Sequence, residues 1–111
     1  MPRRTEHLAE FELYVMLAVA RPGAEAYGAW IRREIEERAG RPVSIGAVYA
    51  TLARLEDRGL LQHALSEPLP VRGGRSRKLY RLTPDGRDAL RTSTWGLTRM
   101  MDGVPLAPEG R

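Results

Sequence analysis

Six cations crowd two short stretches in the middle of this 111-residue chain: Arg54 and Arg58 in one, Arg72, Arg75, Arg77 and Lys78 in the other. With Arg81 they make seven basic residues between 44 and 82, against three acids, Glu56, Asp57 and Glu67. The flanking segments balance, so the whole formal excess of +4 lies between those positions. A guanidinium forks onto a phosphate or onto the O6/N7 edge of guanine. Gly73-Gly74, set among the cations, lets a backbone come close to such a group. Seventeen of the eighteen basic residues are arginine, a bias that genome composition also produces, so placement is the stronger signal.

Nothing comparable exists for catalysis. His7 and His63 have no ligand spacing to each other or to an acid, and H-E-x-x-H, P-loop and G-x-S-x-G motifs are absent. Cysteine is absent too, which removes disulfides and thiolate metal sites and fits a reducing cytosol. The acids of residues 34–37 sit three and four positions from arginines, the spacing of solvated ion pairs. We expect no enzyme, no metal and no cofactor.

The first cationic stretch belongs to a helix. Ser44 precedes an apolar-periodic run as an N-cap should, and Ile45, Val48, Leu52 and Leu55 recur at steps of three, four and three, one buried face. Ala47, Ala50, Thr51, Arg54 and Arg58 then fall opposite, small and hydroxylated first and basic last, a face able to lie close in a groove. Gly59 is a natural C-terminal stop. The second cationic stretch belongs to a hairpin. Residues 60–65 read as a short strand, and Lys78-Leu79-Tyr80-Arg81-Leu82 alternates as a half-exposed one, with a Pro-, Gly- and Arg-rich loop between.

Two helices precede these elements. Residues 6–20 carry an apolar stripe through Leu8, Phe11, Val15 and Ala18, widened by Leu13, Tyr14, Met16, Leu17 and Val19, and Arg21-Pro22-Gly23 ends it. Residues 26–39 fit a second helix on Tyr27, Ile31 and Ile35, with Trp30 beside them as a core or interface residue. Gly28 within it implies a close helix–helix contact, since Gly costs about 1 kcal/mol there relative to Ala. Val43 is placed to form a single β-bridge. Thr83-Pro84 opens a last helix, N-cap then first turn, with Leu90, Leu97 and Met101 on one seam. Helix, helix, helix, strand, loop, strand is a winged helix-turn-helix. The expected class is mainly α with a small β-hairpin: residues 1–82 a DNA-binding domain, 83–102 a C-terminal dimerisation helix and 103–111 a flexible tail. Residues 1–5 should be a frayed arm.

Ser44-Ile45-Gly46-Ala47-Val48-Tyr49 with Leu52, Leu55 and Glu56, Gly59-Leu60, and Gly73-Gly74-Arg75 before Tyr80-Arg81-Leu82-Thr83-Pro84-Asp85-Gly86 resemble the PadR family of bacterial transcriptional regulators, as does Tyr27-Gly28. The resemblance covers roughly residues 8–101. It implies a dimeric winged-helix repressor joined through its C-terminal helix and often its first, near-palindromic operators, and in several members a response to small aromatic or cationic compounds. Two departures stand out. Ala50 occupies a position where the family commonly has proline, and the C-terminal region is short, leaving less material for an effector pocket.

These readings set the expectations. Thr51 and Arg54 should reach base edges, and Ser44 and Tyr49 should donate to phosphates, with Ala47 and Arg58 on the same face. Arg72, Arg75, Arg77 and Lys78 should meet phosphate or a minor groove. Tyr49 has an alternative, burial against Leu52. Leu8, Phe11, Val15, Leu90, Trp95, Leu97 and Met101 should form a dimer interface, because a lone domain would expose so much apolar surface. Partners are then double-stranded DNA, a second copy and a small aromatic effector. Residues 1–11 lack a continuous apolar run and no stretch approaches the 18 apolar residues of a membrane span, so the expected location is the cytoplasm. The alternative reading is a protein–protein interaction module holding an acidic partner on the same basic face.

Overall fold

The computed structural model describes residues 7–68 and 70–106. The expected arm, residues 1–5, and the last five residues of the expected tail lie outside them. Four helices and one hairpin follow in the order α1 (Glu10–Ala20), α2 (Gly28–Ala39), α3 (Ile45–Asp57), β1 (Leu61–Leu65), β2 (Lys78–Leu82) and α4 (Pro84–Met101). This is the expected winged helix-turn-helix with one added helix.

A single core joins α1, α2 and α3 to the hairpin and the start of α4. Val15, Met16, Ile31, Val48, Leu52, Leu55, Leu60 and Leu61 are its fully enclosed members. Burial of each such side chain contributes about 1.5–3 kcal/mol, so α3 is held chiefly by Val48, Leu52 and Leu55. Its ends are fixed as well. The Ser44 hydroxyl oxygen accepts from the Ala47 N–H at 3.0 Å. At the other end Gly59 adopts φ +76°. Its N–H donates to the Glu56 carbonyl and that of Leu60 to the Leu55 carbonyl, both at 2.9 Å, closing a Schellman motif over two buried leucines.

That turn also seats α4. Thr83 Oγ1 donates to the Gly59 carbonyl at 2.6 Å and accepts from the Gly86 N–H at 2.9 Å. A Cβ on Gly86 would run into the Leu60 carbonyl, so only glycine lets α4 come this near. Gly28 has the same role against Tyr49, whose ring occupies the space a Cβ would need.

Several boundaries differ from expectation. The first helix starts at Glu10, not Glu6: Ala9 is extended, and its N–H donates to Glu12 Oε1 at 2.9 Å. The second starts at Gly28, because the Ala26 carbonyl accepts from the Tyr80 N–H at 3.0 Å and holds that segment against β2. Val43 forms no bridge; its N–H donates to Glu36 Oε2 at 3.4 Å. Residues 103–106 follow α4 in turns, the Val104 N–H donating to the Met101 carbonyl.

Candidate nucleic-acid interface

On α3 the inward face is Val48, Thr51, Leu52 and Leu55. Thr51 is therefore a core residue, 2% exposed, with Oγ1 accepting from Arg54 at 3.1 Å. The expectation that it reads bases is corrected. It sits three and four positions from Val48 and Leu55, which fixes its side. Ile45, expected inside, is 38% exposed because it lies in the first turn at the edge of that face. Ala47, Tyr49, Ala50, Ala53 and Arg54 are left outward. Tyr49 is 53% exposed and lies over Gly28, not Leu52. Arg58 turns back: its guanidinium meets Glu12 Oε2 at 2.9 Å and ties the end of α3 to α1. Arg58 thus braces two helices while remaining exposed at the end of α3.

The strands pair antiparallel, with Leu61 opposite Leu82 and Leu65 opposite Lys78. The base of the loop is clamped by Ser66. Its N–H donates to the Arg77 carbonyl and its Oγ accepts from the Arg77 N–H, both at 2.8 Å. The Arg77 guanidinium lies 4.0 Å over the Tyr27 ring, a cation–π contact that pins the loop to the start of α2. Arg72 and Arg75 beyond that clamp, and Lys78 at the start of β2, are exposed, with no ion-pair partner among the described residues.

The expected interface residues separate into two sets. Leu8, Val15 and Leu90 are enclosed by this chain's own core, Val15 completely. Their part in the expected interface is corrected: the stripe that looked unpartnered on α1 is covered by α2, α3, α4 and β2. Phe11 is half-buried under the Arg41 guanidinium at 5.6 Å. Trp95 (62% exposed), Leu97 and Met101 do face outward, and Met100 joins them.

The profile of the transcriptional regulator PadR-like family matches residues 16–92. The chain belongs to that family. The transcriptional regulator Rv3488 of Mycobacterium tuberculosis is 50% identical over 66 residues, 60% of this chain and 57% of that protein. The match thus spans a little over half the length of this curated relative. A PadR-like transcription factor from Bacteroides fragilis superposes with a TM-score of 0.68 at 28% identity, covering 81% of this chain and 82% of the other. Bacillus subtilis PadR, solved in complex with operator DNA, has the same fold at TM-score 0.63 and 19% identity, covering 75% of this chain and 45% of its own. The PadR-like family is one of transcriptional regulators, not of enzymes.

This PadR-like chain also holds a polar cluster that sequence reasoning missed. His63 Nδ1 lies 2.6 Å from Glu56 Oε2, and its ring centroid is 5.6 Å from that of Tyr80. Nothing local in the sequence named Glu56, seven residues earlier on α3, as the partner of His63. Among the described residues no group of three His, Cys, Asp or Glu side chains is placed to hold a metal. No described helix is long and apolar enough to cross a membrane.

Proposed function

We propose that this PadR-like chain is a homodimeric repressor that binds duplex DNA sequence-specifically. One observation carries it: the outward face of α3, small residues around a protruding Arg54, stands beside a hairpin whose Arg72, Arg75 and Lys78 are unpaired among the described residues. Ala47, Ala50 and Ala53 let α3 approach the floor of a major groove, where Arg54 reads a guanine edge. The hydroxyls of Ser44 and Tyr49 donate to phosphates, and the hairpin loop lies on flanking backbone. The operator-bound state of Bacillus subtilis PadR supports the same use of the shared fold.

Residues 1–82 serve as the DNA-binding unit and 83–102 as the dimerisation helix. Trp95, Leu97 and Met101 supply the apolar contact, with Met100 beside them. Two such units bind a near-palindromic operator with half-sites about 10 bp apart. A small aromatic effector would act through the C-terminal helices, changing the angle between the two DNA-reading units and releasing the operator. The cytoplasm is the fitting compartment.

Fluorescence anisotropy tests this on the duplex upstream of the protein's own gene and on a base-shuffled duplex, at about 150 mM salt. A preference of about 10³-fold or more is expected. Equal, weak binding to every duplex tried, together with capture of an acidic protein that competes with DNA, would favour the interaction-module reading instead. Light scattering should give twice the monomer mass.

A further inference from the structure

The hairpin is held unequally on its two sides. At its root Leu60 and Leu61 are buried, and the Thr83 N–H donates to the Leu60 carbonyl at 3.1 Å. On the α2 side the Tyr80 N–H donates to the Ala26 carbonyl, and the Arg77 guanidinium stacks on Tyr27. Above the root on the α3 side, an open groove of about 580 Å³ runs between Tyr49, Ala53 and Glu56 of α3 and Lys78 and Tyr80 of β2. Close-packed apolar atoms would resist a change of angle there. Open space does not.

One polar contact crosses that side. His63 Nδ1 lies 2.6 Å from Glu56 Oε2, and among the described residues this is the one side-chain hydrogen bond between α3 and either strand. A carboxylate only accepts, so the bond needs its proton on Nδ1. Both side chains are part-buried, which spares the bond much of the competition from water that weakens fully exposed pairs. Tyr80, the register partner of His63, sets the imidazole from the other strand, the ring centroids 5.6 Å apart. Glu56 stands two residues beyond Arg54 on α3, and His63 two residues above the buried root of β1.

We infer that Glu56 and His63 are positioning residues: their bond fixes the angle of the hairpin to α3, so that Arg54 and the cations of the loop meet one duplex at a set spacing. Neither side chain need touch DNA for this. The inference rests on the DNA-binding reading and deepens it. Two contact surfaces held at a fixed geometry bind as one unit. If the angle is loose, each binding event must order it again, and that cost falls on affinity.

The chain has no cysteine, so Ala50→Cys on α3 and Ala64→Cys on β1, both exposed, accept a pair of spin labels and nothing else does. Electron–electron distance measurements on the full-length labelled protein, diluted in unlabelled protein, read the spread of hairpin angles within one chain. The native protein and Glu56→Gln should give the same narrow distribution, because the amide oxygen still accepts from Nδ1. Glu56→Ala and His63→Phe should each broaden it, and the double variant should be no broader than either alone. On a duplex selected from a randomised pool, Glu56→Ala should bind about fivefold more weakly than Glu56→Gln. Both lack the charge, so their difference reports the bond alone. If His63→Phe loses its cooperative melt, the two Glu56 variants decide the matter. Equal widths in every variant would overturn the link and leave DNA binding standing. Broadened distributions with equal affinities would overturn the positioning role. A native protein that selects no duplex would overturn the DNA-binding reading, and the widths would still judge the link.

Discussion

Helix α3 and the loop of the hairpin carry the same kind of side chain, but the fold treats them oppositely. The helix is capped by Ser44, closed by the Gly59 turn, backed by Val48, Leu52 and Leu55, and tied to α1 through Arg58 and Glu12. The loop is clamped at its base by Ser66 and Arg77, and Arg72 and Arg75 stand clear of that clamp. A rigid element can compare bases, because a wrong base leaves a fixed Arg54 without its acceptors. A loosely held loop adapts to any backbone and adds affinity without discrimination. On the proposed DNA-binding reading, rigidity more than charge divides reading from positioning.

That contrast can be broken from the helix side first. Leu52→Ala should cost about 2–5 kcal/mol, since the cavity lies under α3 and cannot collapse fully; chemical denaturation measures it. Ser44→Ala should cost about 1 kcal/mol by loss of the cap, and it should weaken specific binding more than nonspecific binding as the first turn frays. On the loop side, Arg75→Ala should leave the melting curve within about 0.5 kcal/mol of native. It should weaken binding to all duplexes alike and reduce the salt slope by about one. A large stability loss from Arg75→Ala would show that the loop is structural and erase the contrast.

The smallest effect concerns pH. Tyr80 holds its proton more tightly when folded, so its contribution to stability is intact below the ordinary tyrosine value of 10.0 and declines as pH rises above it. Above that pH the unfolded chain ionises first and is favoured. Alkaline denaturation should therefore be shallower in Tyr80→Phe than in the native protein.

Much of this was legible in the residues. Ser44, Gly59, Thr83 and Pro84 carry local signals with one meaning each, and the elements they bound lie where expected. Gly28 announced a close helix contact, and Tyr49 supplies it. What failed were judgements about which side of a helix is wet. Thr51 is polar by type but lies within the angular width of the buried face, and a single bond to Arg54 satisfies it there. The α1 stripe resembled a surplus because its covering, by three helices and a strand, depends on contacts distant in sequence. The ion pair of Arg58 with Glu12 was hidden for the same reason, the two lying 46 residues apart. Tyr80 faces His63 across the hairpin itself, but Glu56 meets it only once the hairpin folds onto α3.

The most direct measurement is the ratio of dissociation constants for a specific and a shuffled duplex, compared among native protein, Arg54→Ala and Arg75→Ala. Arg54→Ala should collapse the ratio, losing about 1–3 kcal/mol of discrimination, while Arg75→Ala should weaken both duplexes equally and preserve it. A ratio unchanged by Arg54→Ala and reduced by Arg75→Ala would contradict the account, for then the loop would read and the helix merely position.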